Sequence, residues 1–129
     1  AAYELTQDGP EPVEFVFAVE MAVNFRAADA PDRWFESPGV VLDDRRLGSS
    51  GVLTGVRRID AVDDWVGLRA AFETSTACEI WRLPIETVSM SESGFERVYQ
   101  GSALLFRFPL RLEPARAWSV RVTQRVEAR

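Results

Sequence analysis

Over residues 13–25 every second side chain is apolar: Val13, Phe15, Phe17, Val19, Met21, Val23 and Phe25. Side chains alternate sides along an extended chain but recur every 3.6 residues in a helix, so this run specifies a strand with one face on a core. The opposite face, Glu14, Val16, Ala18, Glu20, Ala22 and Asn24, is mixed, as on a sheet with one side towards water. Pro10 and Pro12 fence off the start of the run, and no segment of the chain carries a sustained helical period.

Further strands follow at turn spacings. Residues 52–59 are β-branched, and residues 65–72 alternate Val66, Leu68, Ala70 and Phe72 against Trp65 and Arg69. Residues 78–83 form a short apolar strand ended by Pro84. Residues 98–112 carry Leu104, Phe106, Phe108, Leu110 and Leu112 in register, with Pro109 on the other side as at an edge or bulge. Trp118, Val120 and Val122 close the chain. Residues 27–50 read as connection around a short strand at 40–42, with Trp34 and Phe35 pinning the loop to the core in preference to forming a ligand platform. Asp60, Asp63 and Asp64 read as solvated turn carboxylates, lacking the ordered spacing and glycine of a calcium loop. At least six strands without alternating helices predict an all-β fold, an antiparallel sandwich or barrel. The 129 residues make one domain, 1–129, large enough for a real core.

The composition removes whole chemistries. The chain has no histidine, and all fifteen cations are arginines. Ser-His-Asp and Cys-His relays, imidazole metal sites, phosphate-loop lysines and Schiff bases are therefore excluded. A lone cysteine, Cys78, forms no internal disulfide or thiolate cluster and reads as a small buried hydrophobe. Twenty acidic residues give a net charge of −5, which argues against nucleic acid or an anionic membrane as partner. No apolar run is long enough for a membrane helix, so the expectation is a soluble, cytoplasmic protein without cofactor or metal. The opening Ala1-Ala2-Tyr3, with neither an initiator methionine nor a signal segment, sets the expectation of a piece excised from a longer chain.

Polar density peaks over residues 81–102, Trp-Arg-Leu-Pro-Ile-Glu-Thr-Val-Ser-Met-Ser-Glu-Ser-Gly-Phe-Glu-Arg-Val-Tyr-Gln-Gly-Ser. Read as a loop between two strands, it gathers Trp81, Arg82, Glu86, Glu92, Tyr99 and Gln100, residue types that saccharides select. Aromatic faces cover the C–H side of a pyranose, while carboxylate, guanidinium and amide satisfy its hydroxyls. The same residues fit an architectural role: Trp81 packed inward, the glutamates bonded to loop amides, and Arg82 ion-paired with Glu86. Gly94 and Gly101 answer backbone needs at a turn and a close approach. Glu86 and Glu92 invite a two-carboxylate glycosidase reading, but sequence spacing cannot set their distance.

The 81–102 stretch resembles a segment of the C-terminal β-sandwich domain of family 57 glycoside hydrolases, the α-amylase and 4-α-glucanotransferase group. The strands at 13–25 and 65–72 fall where that domain places them, so the resemblance covers nearly the whole chain. It implies a galactose-mutarotase-like antiparallel two-sheet sandwich, or supersandwich, packed on a separate barrel that carries the catalytic carboxylates. The parent reaction would be retaining hydrolysis or transfer on α-1,4-glucan. On that view this chain is a non-catalytic accessory domain whose partners are the catalytic domain and α-glucan, and no catalytic residue carries over to it. Two other readings stay open: a stand-alone carbohydrate-binding module, and a structural interaction domain with an exposed apolar patch.

Overall fold

In a computed structural model describing residues 1–129, the chain forms seven strands. They are β1 (Ala2–Thr6), β2 (Val13–Val23), β3 (Arg33–Glu36), β4 (Gly51–Asp63), β5 (Leu68–Ser91), β6 (Gly94–Leu112) and β7 (Ala117–Ala128). Every pairing is antiparallel. The expected all-β antiparallel sandwich is what the chain adopts.

The two layers share β4 and β5. Residues Leu68 to Thr74 of β5 lie between β7 and the end of β4, completing the layer β1-β7-β5-β4-β3. Farther along, Ile80 to Arg82 lie between the start of β4 and β6, and β6 carries β2 on its other edge. The strands turn the corner where register breaks: Glu73 opposes Arg58 but Cys78 already opposes Val56, so β5 takes five steps against two in β4. Such irregularities bend strands from one sheet into the next.

The core fills the space between the layers. Phe72 of one layer faces Phe106 of the other at 6.5 Å between ring centroids. Both are fully buried, as is Phe35, each contributing roughly 3 kcal/mol relative to a solvated ring. Val19 and Val23 supply the apolar face of β2 and pack with Ile59, Ile80, Leu104 and Val122. At one end Tyr3, Phe17, Phe108 and Trp118 form an aromatic cluster with centroids 5.3–6.4 Å apart. Cys78 is buried and free, its thiol pushed up by burial.

Several expectations are corrected. No strand forms at 40–42, where Val40 only closes a tight turn by donating its N–H to the Ser37 carbonyl at 3.1 Å. Trp65 lies in the β4–β5 turn and is 78% exposed, so β5 begins at Leu68. Trp34 and Phe35 sit on strand β3, not in a loop. Pro84 does not end its strand: β4 pairing stops at Arg82, leaving an open edge of β5 that needs no N–H. Pro109 likewise falls where β6 has lost β5 and keeps only β2.

Candidate functional site

Residues 81–102 are not a loop. They are the outer half of the β5–β6 hairpin, closed by the two residues Glu92 and Ser93, with Ser91 opposite Gly94. Gly94 has φ of 114°, a turn conformation that side-chain-bearing residues rarely adopt. At the root, a Cβ on Gly101 would stand 3.1 Å from the Val23 carbonyl oxygen, so any larger residue there would push β2 and β6 apart by a few tenths of an ångström. Beyond Ile85 and Gly101 neither strand has another neighbour, and the hairpin continues as a two-stranded arm.

The six candidate residues do not converge. Trp81 donates its Nε1–H to Glu79 at 2.5 Å, and the Arg107 guanidinium lies 3.9 Å from its ring centroid. Arg82 is inside the protein, 4% exposed. Its Nη1 donates to the Ser49 hydroxyl at 2.5 Å and the Asp44 carbonyl at 3.1 Å, and its guanidinium lies over Phe35 at 5.6 Å. Burial lowers its pKa, with Asp44 opposing. Arg82 therefore fastens the 44–49 loop and does not pair with Glu86, whose carboxylate lies 3.9 Å from Arg97 instead. Tyr99 and Ser102 are bonded through their hydroxyls at 2.6 Å, and Ser102 donates to the Leu47 carbonyl; burial pushes the Tyr99 phenol up. Gln100 is the extra residue at the Ile85/Glu86 bulge and donates to the Thr87 hydroxyl at 3.2 Å.

Nor do the glutamates form a catalytic pair. Glu86 lies on β5 and Glu92 at the tip, six residues on, a separation of roughly 20 Å along an extended strand. Two-carboxylate glycosidases need about 5–9.5 Å. Glu96 opposes Ser89, an odd number of residues from Glu86, and so belongs to the other face of the arm.

One face of the arm carries Glu86, Val88 and Met90 with their partners Tyr99, Arg97 and Phe95. Its root, Tyr99, packs on the core. Farther out, Val88, Met90 and Phe95 are exposed, the last two at 79% and 78%. Past the end of the sandwich this face thus carries the Glu86–Arg97 pair and then an uncovered apolar tip.

The richest polar geometry lies elsewhere, on the outer face of the β3-β4-β5-β7 layer. Asp60, 1% exposed, accepts from Arg58 Nε at 2.7 Å and Nη2 at 2.9 Å and from Arg69 Nη1 at 3.1 Å. Arg69 continues to Glu36 at 2.9 Å; Arg58 continues to Glu73 at 3.0 Å, and Glu73 to Arg125 at 2.6 Å. The result is a ladder of alternating charge across four strands. Trp34 stands at its edge, donating to Glu36 at 3.1 Å, with the Arg45 and Arg129 guanidiniums 5.1 and 5.0 Å from its ring. Asp63, also buried, accepts from Arg33 Nε at 2.9 Å and from the Val66 N–H at 3.0 Å. Asp60 and Asp63 are thus paired interior groups, not solvated turn carboxylates. The sequence reading passed over this ladder, although Arg58 and Asp60 at spacing two already belong to one face of a strand.

A cleft of about 510 Å³ opens over part of the ladder, bounded by Glu36, Arg45, Arg58, Asp60 and Arg69 and by the turn residues Pro38 and Val41. A second, about 460 Å³, lies beside Trp34 and Arg46 and shares Arg45 with the first as a lining residue.

With this geometry in place, comparison with known proteins decides the family. The family model described as alpha-amylase/4-alpha-glucanotransferase, C-terminal, matches residues 1–122. The chain belongs to this family. Alpha-amylase 1 of Dictyoglomus thermophilum is 33% identical over 123 residues, which span 90% of this chain and 16% of that protein. The crystal structure of 4-alpha-glucanotransferase from Thermococcus litoralis matches the fold with a TM-score of 0.58 at 20% identity, over 94% of this chain and 15% of that one. As an amylase/glucanotransferase C-terminal domain, the chain therefore corresponds to a small part of each of these relatives. The protein contains no helix long and apolar enough to cross a membrane.

Proposed function

We propose that the chain is a non-catalytic accessory domain of a longer α-glucan-active enzyme of the family 57 type, holding a catalytic domain that contributes the reacting carboxylates. The observation that carries this reading is the β5–β6 arm, which leaves Val88, Met90 and Phe95 uncovered beyond the Glu86–Arg97 pair, on a chain that matches 15–16% of its relatives. Exposed apolar surface of this kind marks a protein interface. On this reading residues 1–129 are one structural unit in a cytoplasmic enzyme that hydrolyses or transfers α-1,4-glucan with retention.

The chain alone is expected to leave maltoheptaose unchanged. Turnover that copurifies with it and is lost in Glu86→Gln or Glu92→Gln overturns the accessory role. In the full-length enzyme, Met90→Ser/Phe95→Ser is expected to shorten the half-life of activity on heating while leaving kcat intact at low temperature; an unchanged half-life removes the arm from the interface.

A further inference from the structure

We infer that the double cleft along β3 is a binding site for a neutral saccharide chain, lying across the charge ladder and turning about Trp34 and Arg45. Apart from Arg45, the arginines of the lining are already paired within the protein. Arg58 is held by Asp60 and Glu73, Arg69 by Asp60 and Glu36, Arg33 by Asp63 and Arg46 by Asp44. An anion entering here meets the Glu36 and Asp60 carboxylates, and a cation meets three guanidiniums. A hydroxyl both donates and accepts, so a polyol uses both members of each pair.

The shape agrees. The first cleft is within the size range of small-molecule sites, and Arg45 lines both clefts, so a ligand of several rings that spans Arg45 would use the two together. Arg45 is the adaptable member: its side chain is 54% exposed, its nearest carboxylate oxygen, on Glu36, is 3.9 Å away, and its guanidinium lies by the Trp34 ring. Pro38 and Val41 give the first cleft an apolar wall for the C–H face of a sugar. That the saccharide is α-1,4-glucan rests on the function proposed above; that it is a neutral saccharide rests on the cleft.

Calorimetry on the 129-residue protein, with maltoheptaose, cellohexaose and sodium sulfate as probes, separates these statements. Saturable heat with maltoheptaose is expected, weakened about tenfold by Arg45→Ala and by Glu36→Gln, each the loss of a hydrogen bond to a charged group, and untouched by Trp81→Ala. Circular dichroism of each variant confirms the fold. Binding of cellohexaose with none of maltoheptaose supports the cleft and overturns the α-glucan assignment. No heat with either sugar overturns the site. Affinity lost in Trp81→Ala but kept in the β3 variants also overturns it, and so does sulfate competing with the sugar.

Discussion

The charge ladder and the β5–β6 arm invert the usual distribution of residues in opposite ways. In the ladder, ionised groups are taken out of water: Asp60 and Asp63 are as buried as the core phenylalanines. In the arm, apolar groups are left in it, with Val88, Met90 and Phe95 uncovered. The difference lies in where the compensation comes from. Each buried carboxylate finds its guanidinium within the chain, on the neighbouring strand or two residues along its own. Val88, Met90 and Phe95 of the arm find no cover within the chain. A departure from the hydrophobic rule that closes on itself holds the fold and presents paired charges at its surface; one that stays open asks for a second surface.

The sharpest way to break the contrast is Asp60→Ala. It strips three hydrogen bonds from Arg58 and Arg69 beneath the ladder and leaves two partly covered guanidiniums short of an acceptor. Removing one member of a buried ion pair costs about 3–5 kcal/mol; both arginines keep a second carboxylate, so the expectation is the lower end, about 3 kcal/mol in a urea titration. A loss below about 0.5 kcal/mol would make the ladder no more than surface decoration.

Arg82→Ala comes next. It removes the donor that fastens the Ser49 hydroxyl and the Asp44 carbonyl where the hairpin leaves the sandwich. About 2 kcal/mol is expected, the scale of hydrogen bonds to a charged group, with amide exchange speeding up over residues 44–49 and not along the arm. Acid gives a smaller, graded test. Burial pushes the Asp63 carboxyl up, but the Arg33 hydrogen bond and the Val66 N–H together outweigh it, and it titrates below its ordinary value. Asp44, bonded to Arg46, is held down to about 2. Both groups bind protons more weakly folded than unfolded, so their contribution is fully present above about pH 4 and is lost as pH falls through the folded values. Asp63→Asn is expected to flatten the stability profile below about pH 4; an unaltered slope would remove Asp63 as its source.

Period-two patterning made β2 and the inner half of β6 legible, because one face of each meets the core and alternation survives intact. The short strands were less so. β1 has five residues and β3 four, and each is held by pairing with a distant strand, at Tyr3↔Val120 and Trp34↔Val62, which no local pattern encodes. Pro84 misled because a proline is a stop signal only when both strand edges are paired. Residues 81–102 were located correctly as an unusual segment but read as a loop, since serines and glutamates at their density resemble a turn while in fact alternating along two exposed strands. The ladder was invisible as a site because its members, Glu36, Asp60, Arg69 and Glu73, come from three strands and meet only through register.

The smallest expected change in stability carries the most information about the arm. Met90 and Phe95 oppose each other near the tip, on a ribbon whose other edges are free. Replacing both with serine removes little buried surface, so the isolated chain should unfold within about 0.5 kcal/mol of the parent in urea. What should change is the surface: less fluorescence from a dye that binds exposed apolar groups, and less association of the chain with itself at high concentration. The pairing makes the test selective. If the variant were destabilised by several kcal/mol, Met90 and Phe95 would be sealing the domain's own core, and the open half of the comparison would close on itself as the ladder does. If stability holds while dye binding drops, the apolar face is surplus to folding, and its place is against a surface outside these 129 residues.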